Sequence, residues 1–262
     1  GGWIIVYQDA LTAVAQGAEK KARLFSHHPL GALISTMLAG AYIGFGVILV
    51  FTVGGTLSAA GSPYTKLIMG LLFGGALSFV LMAGADLFTG NTMTMTVGAL
   101  EKKVSWKQCV YVLLFSYIGN LLGALLLSLL MRWGNLFGKE AMEFILQSAE
   151  TKMNNSFPTL FIAGILCNIL VCLPVWCSFK LQSESAKLLM VFWGIVMFIT
   201  PGFEHCVANM TLLSSALLSG QEAAISLGGF FWNILISGLG NLVGGALVVG
   251  GGYYLISHGK KQ

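Results

Sequence analysis

The 262 residues carry 9% charged side chains against 56% hydrophobic ones, with a mean hydropathy of +0.82. No water-soluble globular domain carries so few charges, so the chain reads as a polytopic membrane protein. The net charge of +4 comes from basic residues in short loops between apolar runs and asks for no nucleic-acid partner.

Trp3 to Leu24 mixes Ile4, Ile5, Leu11 and Val14 with Gln8, Asp9, Gln16, Glu19, Lys20, Lys21 and Arg23. This predicts an amphipathic helix over residues 1–29, lying at the cytoplasmic interface or against a neighbour and ended by His27-His28-Pro29. No cleavable leader pattern is visible, so insertion is expected to rely on the first span. Leu30 to Gly54 is free of charge and long enough to cross a bilayer, and a Gly/Ser/Pro loop, Gly54 to Pro63, follows.

Leu67 to Leu100 is a run of 34 residues whose one charge is Asp86. As one helix it would be about 51 Å long, against a hydrocarbon core of about 30 Å. It must break, and the expected place is Gly84 to Asn91, where polar residues and glycine replace the aliphatic pattern. Glu101 to Lys107 is a basic loop, Gln108 to Met131 the third span, Arg132 to Asn155 a polar connection, and Phe157 to Phe179 the fourth span. Leu188 to Gln221 is a second run of 34 residues, charged only at Glu204, and the same length argument breaks it at Pro201-Gly202. Glu204, His205 and Asn209 are then presented near mid-membrane. A loop at Ser219 to Ser226 and a sixth span, Leu227 to Ile256, complete the channel domain of residues 30–256, with 257–262 as a cytoplasmic tail.

Basic residues divide ten against four: Lys20, Lys21, Arg23, Lys102, Lys103, Lys107, Lys180, Lys187, Lys260 and Lys261 on one side, Lys66, Arg132, Lys139 and Lys152 on the other. The positive-inside rule then places both termini in the cytoplasm, as six spans require. The halves also repeat (30–132 and 157–256). Asp86 and Asn91 match Glu204 and Asn209, Gly119-Asn120-Leu121 matches Gly240-Asn241-Leu242, and Ala39-Gly40 aligns with Ala163-Gly164. Three spans per copy make the repeats inverted, as two three-helix units with broken second and fifth helices in an aquaporin-like all-α fold. Unwound backbone in a membrane lies inside protein or along a cavity, and a permeation path is the simplest such cavity.

These residues resemble the formate/nitrite transporter family over nearly the whole chain. The resemblance is most specific at Ala85-Asp86-Leu87-Phe88-Thr89-Gly90, Cys167-Asn168-Ile169-Leu170-Val171-Cys172 and Gly202-Phe203-Glu204-His205-Cys206-Val207-Ala208-Asn209-Met210. Pro29-Leu30-Gly31, Ala39-Gly40-Ala41-Tyr42-Ile43-Gly44 and Asn209-Met210-Thr211-Leu212 look most like its nitrite branch. The family pattern differs at Pro201 and Cys206. The resemblance implies a homopentamer in the bacterial inner membrane, with a pore in each protomer for small monovalent anions or their acids. Nitrite leads among these, and formate and hydrosulfide are the alternatives. It also implies that His205 is the central histidine, Thr89 the loop threonine touching it, Glu204 and Asn209 residues that orient the broken helix, Asn168 a pore-lining amide and Lys152 an anion-collecting lysine at the periplasmic vestibule. Phe73, Leu77 and Phe198 are expected at a cytoplasmic constriction, and Leu87, Phe88 and Val171 near a periplasmic one.

A bare anion between apolar rings is expensive, whereas a neutral acid avoids most of that cost. Histidine exchanges a proton near neutral pH. His205 therefore either hands a proton to the anion or only donates a hydrogen bond. Glu204 is expected to cap freed backbone N–H groups, and Asp86 to fasten its loop. An aquaporin would need Asn-Pro-Ala turns, but Pro follows neither Asn91 nor Asn209, and an intramembrane enzyme would need a nucleophilic partner motif, a second intramembrane histidine or a His-Glu-x-x-His pattern, which the sequence lacks. The five cysteines lie in apolar stretches without a CxxC and read as small buried side chains. No cofactor or metal is expected.

Overall fold

A computed structural model describes residues 2–220 and 224–258, with side chains from residue 7 onward. Every regular element in it is helical. Helix α1 spans Gly2–His27, α2 Pro29–Ala59, and α3 Thr65–Phe79, which continues as a π-helical turn over Val80–Gly84. Then come α4 (Phe88–Leu100), α5 (Trp106–Trp133), α6 (Lys139–Asn154), α7 (Phe157–Lys180), α8 (Glu184–Ile199), α9 (Cys206–Ser219) and α10 (Leu227–Leu242). A π-helical stretch over Val243–Gly251 leads into α11 (Gly252–Ser257).

Among the described residues, five helical segments are long and apolar enough to cross a bilayer: Pro29–Ala59, Thr65–Gly84, Trp106–Trp133, Phe157–Lys180 and Leu227–Ser257. Cys206–Ser219 is apolar but shorter. Large side chains stand exposed along their outer faces, as on α5 at Leu114, Ile118, Leu122, Leu126 and Leu130. Such a belt is tolerable where lipid or another subunit covers it. Both 34-residue runs are interrupted, the first over Ala85–Leu87 and the second over residues 200–205. Gln221, Glu222 and the tail lysines Lys260 and Lys261 lie outside the described residues.

Several boundaries differ from the sequence reading. Helix α1 packs on the protein, with Leu11, Val14, Ala18, Ala22 and Phe25 at helical spacing and at most 3% exposed, so neighbouring helices take its apolar face. Helix α2 continues five residues beyond Gly54, through the expected loop, because α6 lies against it. A Cβ at Gly55 would meet the backbone of Glu140 and Ala141, and one at Gly54 the ring of Phe144. The polar connection 132–155 is itself mostly α6, whose face of Ala141, Ile145, Leu146, Ala149 and Met153 is buried.

The repeat alignment needs a shift of one helical turn. A Cβ at Gly119 would overlap Thr36 and one at Gly240 would approach Gly164, and Gly123 and Gly244 meet the carbonyls of Met37 and Ile165 in the same way. Ser35-Thr36, and not Ala39-Gly40, is therefore the counterpart of Ala163-Gly164. The Ala-Gly pairs are similar because both serve close helix packing, not because they occupy equivalent positions.

Candidate functional site

Each break leaves backbone groups without helical partners, and an unpaired buried N–H or C=O is expensive. Gly84, the last residue before the first break, and Gly202, within the second, have left-handed backbone, at φ +81° and φ +86°. A side chain would be strained there. One asparagine then fastens each break. Asn120 Oδ1 accepts from Phe88 N at 2.8 Å, while its Nδ2 donates to the carbonyls of Thr36 (2.7 Å) and Asp86 (3.0 Å). Asn241 repeats this: Oδ1 accepts from Cys206 N at 3.0 Å, and Nδ2 donates to the carbonyls of Gly164 and Glu204, both at 2.8 Å. Asp86 N and Glu204 N complete the pattern by donating to the carbonyls of Ser35 and Ala163.

His205 is the N-cap of α9, and its Nδ1 accepts from Ala208 N at 3.1 Å. That hydrogen bond fixes the tautomer, since a nitrogen that accepts carries no proton. The proton therefore sits on Nε2, 3.2 Å from Thr89 Oγ1. Thr89 is the second residue of α4, so this contact joins the two breaks. The Phe198 ring stacks on the imidazole with centroids 5.9 Å apart, and Phe73 meets Phe198 edge to face at 6.3 Å.

Two cavities approach this centre from opposite ends of the helices. One, of about 450 Å³, is lined by Lys66, Lys152, Phe73, Phe198, Glu204, His205 and Asn209 among others. The other, of about 470 Å³, is lined by Lys21, Ser35, Leu77, Asp86, Leu87 and Asn91 among others. Each contains a buried carboxylate paired with a lysine from an amphipathic helix. Glu204 Oε2 accepts from Lys152 Nζ of α6 at 2.8 Å and from Asn209 Nδ2 at 2.5 Å. Asp86 pairs with Lys21 of α1 and accepts from Ser35 Oγ at 2.9 Å.

The structure brings Thr89, Glu204, His205 and Asn209 together at the two breaks, with contacts that differ from several of the expected ones. Glu204 takes two side-chain donors, not backbone N–H groups, and His205 is the residue that caps. The Asn209 amide donates to Glu204 and to Asn233 Oδ1 at 2.8 Å. Asn168 lines neither cavity. It is fully buried, and its Nδ2 reaches the carbonyls of Thr89 (3.2 Å) and Asn241 (2.6 Å) and Thr92 Oγ1 (2.9 Å), so it braces the centre. Three constriction groups lie opposite to the expected side: Phe73 and Phe198 line the Lys152 cavity and Leu87 the Lys21 cavity. Leu77 lines the Lys21 cavity, and Phe73 and Leu77 divide because α3 runs from the first cavity to the second. Phe88 and Val171 line neither cavity; the Phe88 ring packs on Tyr117 at 5.0 Å. Asn120, Asn241 and Lys21 were not among the predicted site residues, although the repeated Gly-Asn-Leu signalled the two asparagines.

A sequence model of the formate/nitrite transporter family matches residues 8–255. The chain belongs to the formate/nitrite transporter family. The nitrite transporter NirC of Escherichia coli (strain K12) is 37% identical to it, over 95% of this chain and 92% of that one. A solved FNT family ion channel superposes with a TM-score of 0.89 at 36% identity, over 94% of this chain and 98% of that one. A pentameric formate channel with formate bound gives a TM-score of 0.75 at 30% identity, covering 87% and 96%. As a family member, this chain is a membrane transport protein, with His205 hydrogen-bonded at its centre.

Proposed function

We propose that this transporter passes nitrite across the bacterial inner membrane through a path within each protomer, with both cavities as vestibules and His205 between them. The Nε2–H of His205, held between two helix breaks and facing Thr89, carries this reading. Counting α3 with α4 and α8 with α9 as broken crossings gives six spans. Asp86 opens on the α1 end and Glu204 on the α6 end, which supports an inverted repeat. The contact of Glu101 with His258 and the placement of Lys180 over Tyr7 gather the lysine-rich end around both termini, the cytoplasmic side by the positive-inside rule. Assembly as a pentamer is proposed from the pentameric relative.

Of the two roles open to His205, the hydrogen-bond role fits better. A second proton would have to sit on Nδ1, against Ala208 N–H and at the positive end of α9, so taking one up breaks the cap. One hydrogen bond to a charged group contributes about 1.5–3 kcal/mol. Desolvating the anion costs several kcal/mol, so the proton that neutralises it comes from vestibule water. Nitrite and that proton cross together as the neutral acid, and His205 orients it.

The test is flux into proteoliposomes with nitrite, formate and hydrosulfide in competition. Nitrite is expected to be preferred, and His205→Phe to reduce its flux more than His205→Asn. Equal flux for the wild type and both variants overturns the reading. The resemblance to a formate-bound channel favours formate as the second reading, and a preference for formate in the same assay would select it.

A further inference from the structure

The cavity on the α1 side is lined by five side chains that can donate a hydrogen bond, Lys21, Ser35, Asn91, Thr94 and Ser178. Four of them are committed. Lys21 and Ser35 donate to Asp86, Thr94 to the carbonyl of Gly90 and Ser178 to that of Val175. Asn91 is the exception: it is 2% exposed, and its Nδ2 has no acceptor among the described residues. In the second repeat its counterpart Asn209 donates to Glu204 and Asn233. In the first repeat the carboxylate is Asp86, one methylene shorter, and both of its oxygens already accept, from Lys21 and Ser35. Val112 stands eight residues before Asn120, as Asn233 stands eight before Asn241, and its side chain offers no acceptor. A buried amide N–H left in this way is costly, so its retention asks for a reason.

We infer that Asn91 is a second hydrogen-bond donor on the permeation path, binding an oxygen of the permeant oxyanion or its acid on the Lys21 side. Asn91 follows Thr89, the partner of His205, by two residues at the start of α4, so one turn of that helix touches both the imidazole and the cavity. The end torsion of an asparagine is broad, and the amide can turn to present an N–H to a guest. A neutral donor suits a permeant that sheds its charge on the way, because it holds the anion and the acid alike. Oxygen accepts well and sulfur weakly, so the contact favours nitrite and formate over hydrosulfide. The inference rests on the proposed path through this cavity, but it is read as a ratio between substrates and not as the preference for nitrite.

Initial fluxes of nitrite, formate and hydrosulfide into proteoliposomes, each alone at low concentration and fixed pH, test it in the full chain. Asn91→Leu keeps the branched shape without the donor, and Asn91→Ala does the same for a side chain that fits without crowding. Both variants are expected to lower the nitrite-to-hydrosulfide and formate-to-hydrosulfide flux ratios about fivefold, the effect of one hydrogen bond. A role in packing alone, or in holding a water, would lower all three fluxes together and leave the ratios where they are. That result overturns the inference, and so does an absence of change in every flux. If both ratios fall while the wild type prefers formate to nitrite, the nitrite reading fails and the assignment of Asn91 stands. If the wild type prefers nitrite and the ratios hold in both variants, the assignment fails and the nitrite reading stands.

Discussion

At the scale of single residues, the centre depends on side chains that take the place of helical hydrogen bonds. Asn120 and Asn241 each satisfy one N–H and two carbonyls at a break, and both are fully buried. Removing either amide strands three backbone groups, at about 1–3 kcal/mol each where water cannot reach. Asn120→Ala and Asn241→Ala are each expected to lower the unfolding temperature of the detergent-purified protein by many degrees, and loss of a shift in either would contradict the latch. The ion pairs make a different prediction. Lys152→Met leaves Glu204 buried without its cation, a loss of about 3–5 kcal/mol for such pairs, whereas Lys152→Met with Glu204→Gln removes both charges together. The double variant is expected to unfold at a higher temperature than the single one. The sequence displayed Asp86, Glu204, Asn120 and Asn241 as repeated letters, but it gave no partners. Lys21 lies 65 positions from Asp86, and a loop lysine looks the same whether it is solvated or paired.

At the scale of elements, the break positions were legible because they follow from length. An apolar run of 34 residues exceeds the bilayer, and the glycine and polar residues within it mark where it gives way. The end of α2 was not legible. Gly54-Gly55 is followed by Gly61-Ser62-Pro63 and reads as the opening of a loop, yet these glycines are where α6 docks on the helix. The same ambiguity shifted the repeat alignment by a turn. Small residues form seams here: a Cβ at Gly40 would overlap the Asn120 carbonyl, and one at Gly123 the Met37 carbonyl. A membrane helix pair that packs through backbone has no side chain to move aside. Gly123→Val is therefore expected to abolish recovery of a monodisperse protein, while Gly75→Ala, whose added methyl meets nothing within 4 Å, should purify like the wild type. Size-exclusion profiles after identical extraction distinguish the two outcomes.

At the scale of the whole molecule, two cavities flank a buried centre that contains Phe73, Phe198, Leu77 and Leu87, each at most 3% exposed. An apolar constriction was expected from the family resemblance, whereas composition and the two over-long runs asked only for two breaks along a cavity. Which ring lies on which side followed only from the direction of α3. On the proposed reading, with His205 as the Nε2–H tautomer, the permeant proton is drawn from water, and this sets the pH dependence of flux. Well above the pKa of the permeant acid, its neutral fraction rises about tenfold for each unit by which pH falls. At fixed total nitrite and equal pH on both sides, initial flux is expected to rise in that proportion from pH 8 to pH 6. A histidine that had to charge before each transfer would give the same slope, because its protonated fraction also rises about tenfold for each unit, so the His205→Asn profile is what separates the two roles. A slope kept in His205→Asn at reduced flux supports the hydrogen-bond role, and a slope lost in that variant would instead return the proton to the imidazole.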